Sequence, residues 1–181
     1  MPVSDYQKEQ LESLLVARKY LSGLDQTQRE YLLATARDYF AFRRRVDRFL
    51  SEFFEGVCSL KCYQSNLSAC CSREGIITFF ADVVLNALVS TETQMDALES
   101  ALAVDNRSQK CVYLGAQGCS WKLKPIVCEM FLCDSAKKEV FEKYPEAGPK
   151  WREFRCREKA FKWPDRPVSF DELEKIFVEA G

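Results

Sequence analysis

The stretch CSLKCYQSNLSACC (residues 58–71), together with CVYLGAQGCSWKLKPIVCEMFLC (residues 111–133), holds eight of the nine cysteines of this 181-residue chain. The first group is Cys58, Cys62, Cys70 and Cys71; the second is Cys111, Cys119, Cys128 and Cys133. So many thiols in so short a span require a chemical reason, which is disulfides, metal or redox chemistry. The chain is long enough, and apolar enough at 47% hydrophobic, to bury an ordinary core. It therefore does not need staples merely because it is small.

The N-terminus, MPVSDYQKEQ, is polar and lacks the apolar segment of a secretory signal. The most apolar run, residues 76–89, is interrupted by Asp82 and Asn86, so a membrane helix is not expected. The expected compartment is the cytoplasm, where thiols stay reduced, and this favours metal over disulfides. A net charge of −1 gives no reason to expect a nucleic-acid partner or an anionic membrane surface. There is no histidine. Histidine bases, serine triads and mixed Cys/His zinc sites are thereby excluded. A soft metal here has to be held mainly by sulfur.

Outward from the cysteines, the expected fold is mainly α. A helical hairpin packs on a cysteine-rich metal-binding core that carries one small β-hairpin. Ser4 with Gln7 forms a capping-box pattern that opens a helix over residues 4–22, stopped by Gly23. Asp25 with Gln28 opens a second helix of roughly 30 residues that ends near Gly56 and delivers the chain to Cys58. Within it, Arg43, Arg44, Arg45 and Arg48 read as a solvated face with Asp38, Asp47 and Glu52 as neighbours. Gly75 marks a turn before a buried helix over 76–89, with a short strand at 76–78 as the alternative. Thr91 with Gln94 opens the next helix. CVYL and CSWKL around GAQG form the β-hairpin, with a cysteine at the start of each strand. Pro125 begins a helix through Cys128, and Asp134 or Ser135 caps another that ends near Tyr144. A helix from Pro149 is broken by Pro164 and Pro167, and Ser169 with Glu172 caps the last, to about Glu179. The chain divides into residues 1–57, the helical hairpin, 58–133, the cysteine cluster, and 134–181, the C-terminal helices, all within one globular domain.

The spacing sets limits on coordination. Cys58 and Cys62 share one face if their backbone is helical. Cys70 and Cys71 diverge unless they lie in a turn. Cys128 falls in the first turn of its helix, where unpaired amides favour a thiolate. On one ideal helix Cys133 would point about 140° away from Cys128, so the helix has to stop between them or the two serve different sites. Eight thiols make two sets of four, the ligand count of an all-cysteine zinc site or of a cubane iron–sulfur cluster. Cys156, on a charged helix, is left out of the ligand set.

The pattern C-x3-C…CC followed by C-x6-GC-x4-KP-x2-C-x4-C resembles the YkgJ-like cysteine-cluster family, whose members are described as zinc- or iron-chelating. The resemblance spans Cys58 to Cys133, and its most specific part is GC…KP..C. Seven residues rather than three separate Cys62 from the Cys70–Cys71 pair, and Lys124 stands where the family often has Arg. The resemblance implies a metal centre on Cys58, Cys62, Cys70, Cys71, Cys111, Cys119, Cys128 and Cys133, with an iron–sulfur cluster as first choice and zinc as second. The related cysteine pattern of flagellin lysine methylases tilts the choice toward iron and sulfide.

The function expected is therefore metal binding for a redox, maturation or partner-binding role, with a protein as partner. The alternatives are an iron–sulfur-dependent methyltransferase-like enzyme and a structural zinc module. The C-x3-C-x2-C radical motif is missed because its third position is Ser65, and no GxGxxG is present. Whether the chain is an enzyme stays open.

Overall fold

The computed structural model describes residues 3–64, 70–73, 76–116, 118–161 and 169–179. It is mainly helical, with one small antiparallel sheet. The expected turn at Gly75 and the helix break at Pro164 and Pro167 lie outside the described residues, as do the side chains of the Ser169–Glu172 cap.

Helix α1 (Asp5–Ser22) starts where the Ser4 hydroxyl accepts the Gln7 amide at 3.2 Å, and Gly23 ends it. Helix α2 (Gln26–Thr35) has a full capping box on Asp25 and Gln28. The single long second helix expected from the sequence is instead two. Helix α2 stops at Thr35, and α3 (Arg37–Phe54) begins beyond Ala36. The Thr35 hydroxyl donates to the Tyr31 carbonyl at 3.0 Å, a back-bond four residues upstream that bends helices. Helix α3 then runs without a gap into a π-helical segment, Glu55–Tyr63, so Gly56 does not end the helical path.

The expected pairing of the first two helices is also revised. The main partners of α1 are α4 (Phe80–Val89) and α5 (Glu92–Ala103), whereas α2 meets α3 and α9 (Ser169–Glu179). Residues 76–79 are extended rather than helical, and α4 starts only after Phe79. Thr91 and Gln94 form the expected capping box of α5. Arg18 of α1 reaches Glu92, Asp96 and Glu99 on α5 at 2.7–2.8 Å.

The sheet consists of β1 (Leu114–Gly115) and β2 (Gly118–Cys119), paired Leu114↔Cys119 and Gly115↔Gly118. These strands are much shorter than CVYL and CSWKL. Cys111 precedes β1, and only Cys119 lies in a strand. Gly118 has φ of +103°, a conformation that a residue with a side chain rarely adopts. Helix α6 (Ile126–Glu129) follows Pro125 and stops well before Cys133, one of the two outcomes the spacing allowed. Cys133 is itself the N-cap residue of α7 (Asp134–Lys143). Helix α8 (Ala147–Glu158) starts two residues before Pro149, which its first turn tolerates because those amides have no helical acceptor.

The core on one side of α3 is aromatic. Phe49 stacks on Trp151 with ring centroids 5.8 Å apart and meets Phe154 edge-on at 5.4 Å. Phe42 faces Phe154 and Phe161. On the other side, α4 buries Ala81 through Leu88, including Asp82 and Asn86. Leu173 and Phe177 of α9 close that side, with Phe177 4.3 Å from Tyr20 and 5.2 Å from Phe80 by ring centroid. Each such large apolar side chain contributes roughly 1.5–3 kcal/mol on burial. These side chains belong to one contiguous core, against which Cys58, Cys111, Cys119 and Cys133 pack partly buried.

Candidate metal centre

Four local devices bring the thiols together. The π-helical segment carries Cys58 and Cys62, one face of an unusually wide helix that occurs mostly at functional sites. A short antiparallel contact ties the first cysteine group to the second. Cys111 N donates to Cys71 O at 2.9 Å, Arg73 N donates to Gln109 O at 2.9 Å, and Ser72 bridges Lys110. The tight β1–β2 turn returns the chain so that Cys119 comes near Cys111. Helix α6 and the extended 131–133 link then place Cys128 and Cys133 on either side.

The thiols sort into two quartets by the fields they exert on one another. Cys58 is pushed up to about 11 by burial first, then by Cys70, Cys133 and Cys62. Cys71 lies in the field of Cys111, Cys119 and Cys128. Cys111 is pushed up to about 11 by burial, with Cys119 and Cys128 adding to it. Cys128 is likewise pushed up to about 11 by burial, and Cys119 and Cys70 contribute. Two overlapping quartets of electrostatic neighbours result, Cys58 with Cys62, Cys70 and Cys133, and Cys71 with Cys111, Cys119 and Cys128; Cys70 acts on Cys128 as well, so the two are not separate. At the adjacent pair the Cys70 thiol donates to Cys71; that bond raises Cys70 and lowers Cys71.

Backbone amides point at several of these sulfurs. Tyr113 and Leu114 N–H groups reach Cys111, Trp121 N–H reaches Cys119, and Ile77 N–H reaches Cys128; each lowers the thiol's proton affinity. N–H groups aimed at sulfur stabilise thiolate and tune metal–sulfur centres. One buried donor, Trp121 Nε1, two residues beyond Cys119, has no hydrogen-bond partner among the described residues, whereas the Tyr113 hydroxyl donates to Tyr6. Buried donors normally find acceptors. Thiolate or sulfide is an acceptor of the kind this pocket lacks. The donor set is all sulfur, which suits zinc or iron–sulfur rather than hard cations. The residues fit such a group. The sulfurs stand as neighbours and are not yet ligands. Among the described residues no three Cys, Asp or Glu side chains converge tightly enough to grip one ion. Those residues include all nine cysteines, and no disulfide joins any two of them. Cys156 sits apart, exposed on α8.

Sequence reasoning missed the framework that holds the second quartet. Arg43, expected on a solvated face, is only 4% exposed. Its guanidinium donates to Tyr39 Oη at 2.6 Å and to Lys124 O at 2.8 Å, and it lies 3.8 Å from Glu129. Asp82 accepts from Ile126 N at 3.0 Å and from Phe79 N at 3.0 Å. Asn86 accepts from Leu123 N at 2.8 Å. Three buried polar side chains on α3 and α4 thus hold residues 123–126, the run that joins Cys119 to Cys128. A signal was present: Arg43 falls on the apolar row Tyr39–Phe42–Val46, and Asp82 and Asn86 interrupt an otherwise apolar run. Lys124 lies 3.6 Å from Glu129, and its positive charge favours the thiolates of Cys58, Cys70 and Cys119, so one cation serves both quartets. Of the other arginines in the run, Arg45 pairs with Glu153 at 2.8 Å, and Arg44 and Arg48 are exposed.

Comparison with family models, with curated proteins and with solved structures finds no match. The resemblance to the YkgJ-like family therefore stands on cysteine spacing alone. No described helix is long and apolar enough to cross a membrane.

Proposed function

We propose that this chain binds metal through two sulfur quartets, holding an iron–sulfur cluster as first choice and zinc as second. Cys58, Cys62, Cys70 and Cys133 would hold one centre, and Cys71, Cys111, Cys119 and Cys128 the other. What supports this reading is the mutual electrostatic influence of thiols from distant chain segments, Cys70, Cys133 and Cys62 on Cys58, and Cys111, Cys119 and Cys128 on Cys71. Four thiols held close together repel one another once ionised; a bound cation reverses that penalty and releases their protons. The amides at Cys111, Cys119 and Cys128 and the Lys124 ammonium supply part of the compensation in advance. Bound iron–sulfur would supply one-electron redox chemistry, and zinc would supply a structural clamp. The role we assign is redox, maturation or partner binding in the cytoplasm, with a protein as partner. Purification without oxygen, followed by iron, zinc and acid-labile sulfide analysis, tests it. Iron and sulfide in equal amounts support the cluster. Colourless protein with stoichiometric zinc supports the second choice. Metal-free protein with all nine thiols titratable would overturn both.

A further inference from the structure

Between the start of α1 and residues 105–112 lies a half-open cavity of about 470 Å³, within the size range of small-molecule sites. The Tyr6 ring, Ile76 and Val112 form its apolar part, and Arg73, Arg107 and Asp105 line it as well. The two arginines differ. Arg107 already shares its charge with Asp105 at 3.0 Å. The Arg73 side chain has no hydrogen bond or ion pair with any described residue, yet its backbone is pinned by the bridge to residues 109–110. A guanidinium with a fixed base, no counter-charge and an apolar wall beside it suits an anionic group attached to an apolar body. The Tyr6 phenol at this wall meets the Thr78 hydroxyl at 3.5 Å.

We infer that this cavity binds a small organic anion, a carboxylate or phosphate carried on a ring-sized apolar body, with Arg73 taking the charge and Tyr6, Ile76 and Val112 taking the body. The inference does not rest on which metal the thiolates hold, or on their holding one.

Calorimetric titration of the full-length protein with phenyl phosphate, benzoate and inorganic phosphate tests it, with metal content measured on the same samples. Phenyl phosphate or benzoate should bind saturably. Inorganic phosphate should bind at least ~10-fold more weakly, because it forgoes the apolar wall. Arg73→Gln should weaken the aromatic anions by ~10-fold or more through loss of a charge-assisted bond. Arg107→Gln should weaken them less, and Arg48→Gln, on a distant exposed face, should leave them unchanged. No saturable binding of either aromatic anion, equal binding of inorganic phosphate, or an Arg73→Gln variant that folds and binds as tightly as the parent would each overturn it. Metal content is read separately, so failure of the cavity and failure of the metal reading cannot be confused.

Discussion

At the scale of single residues, position in the field matters more than residue type. Nine cysteines have the same side chain, but only eight lie within reach of other thiols. Cys119→Ser and Cys128→Ser should each lower metal content and thermal stability, because a site completed on folding adds its binding energy to folding. Full metal retention by either variant would remove that residue from the ligand set. Cys156→Ser should change neither quantity. Arg43 makes the converse point. A charge on an amphipathic helix would ordinarily be solvated, but this one is buried against Tyr39, Glu129 and the Lys124 carbonyl. Arg43→Met should cost about 3 kcal/mol in urea unfolding, since it leaves the buried Glu129 with only the partly exposed Lys124. A loss below ~1 kcal/mol would place the Arg43 charge among the surface pairs, whose worth is small.

At the scale of elements, the helix starts were legible and their shapes were not. Ser4, Asp25 and Thr91 were read as caps because a short oxygen-bearing side chain followed three residues later by Gln is a local signal, and each caps as expected. The break at Ala36 was not legible, because the sequence does not say that Thr35 would bond back to Tyr31. Nor was the π-helical segment, whose wider turn depends on what surrounds Cys58 and Cys62. Helix geometry allowed two outcomes for Cys128 and Cys133, a stop between them or service at different sites, and the stop is observed. The grouping of the cysteines was less legible, because the approach of Cys71 to Cys111 depends on the contact between residues 71–73 and 109–111. Helix α4 should be the element most tightly coupled to the site. Asp82→Ala strips the acceptor from Ile126 N–H and Phe79 N–H, and a buried donor left unpaired costs about 1–3 kcal/mol. Such a variant should lose thermal stability and part of its bound metal together. Loss of stability with metal content intact would show that the α4 contacts support the fold but not the site.

Across the whole molecule, one contiguous core, aromatic around α3 and α8 and aliphatic around α1, α4 and α5, forms the frame. The thiols lie on that frame and are destabilised as thiolates by burial and by one another. In metal-free protein the raised thiols of Cys58, Cys111 and Cys128 favour the protonated form in the folded state. Their stabilisation is therefore fully present below the ordinary thiol value of 9.0, and it is lost as pH rises toward about 11. Melting of the metal-free protein should move to lower temperature across that window, and a flat profile would contradict the burial assigned to these thiols. The metal-loaded protein should behave oppositely, releasing metal as pH falls because protons compete for sulfur.

The central claim is sulfur-only coordination, and X-ray absorption at the metal edge of anaerobically purified protein measures it most directly. The proposed sulfur-only coordination predicts a first shell of four sulfurs and no nitrogen, at about 2.3 Å if the metal is zinc. A first shell dominated by oxygen or nitrogen would contradict it.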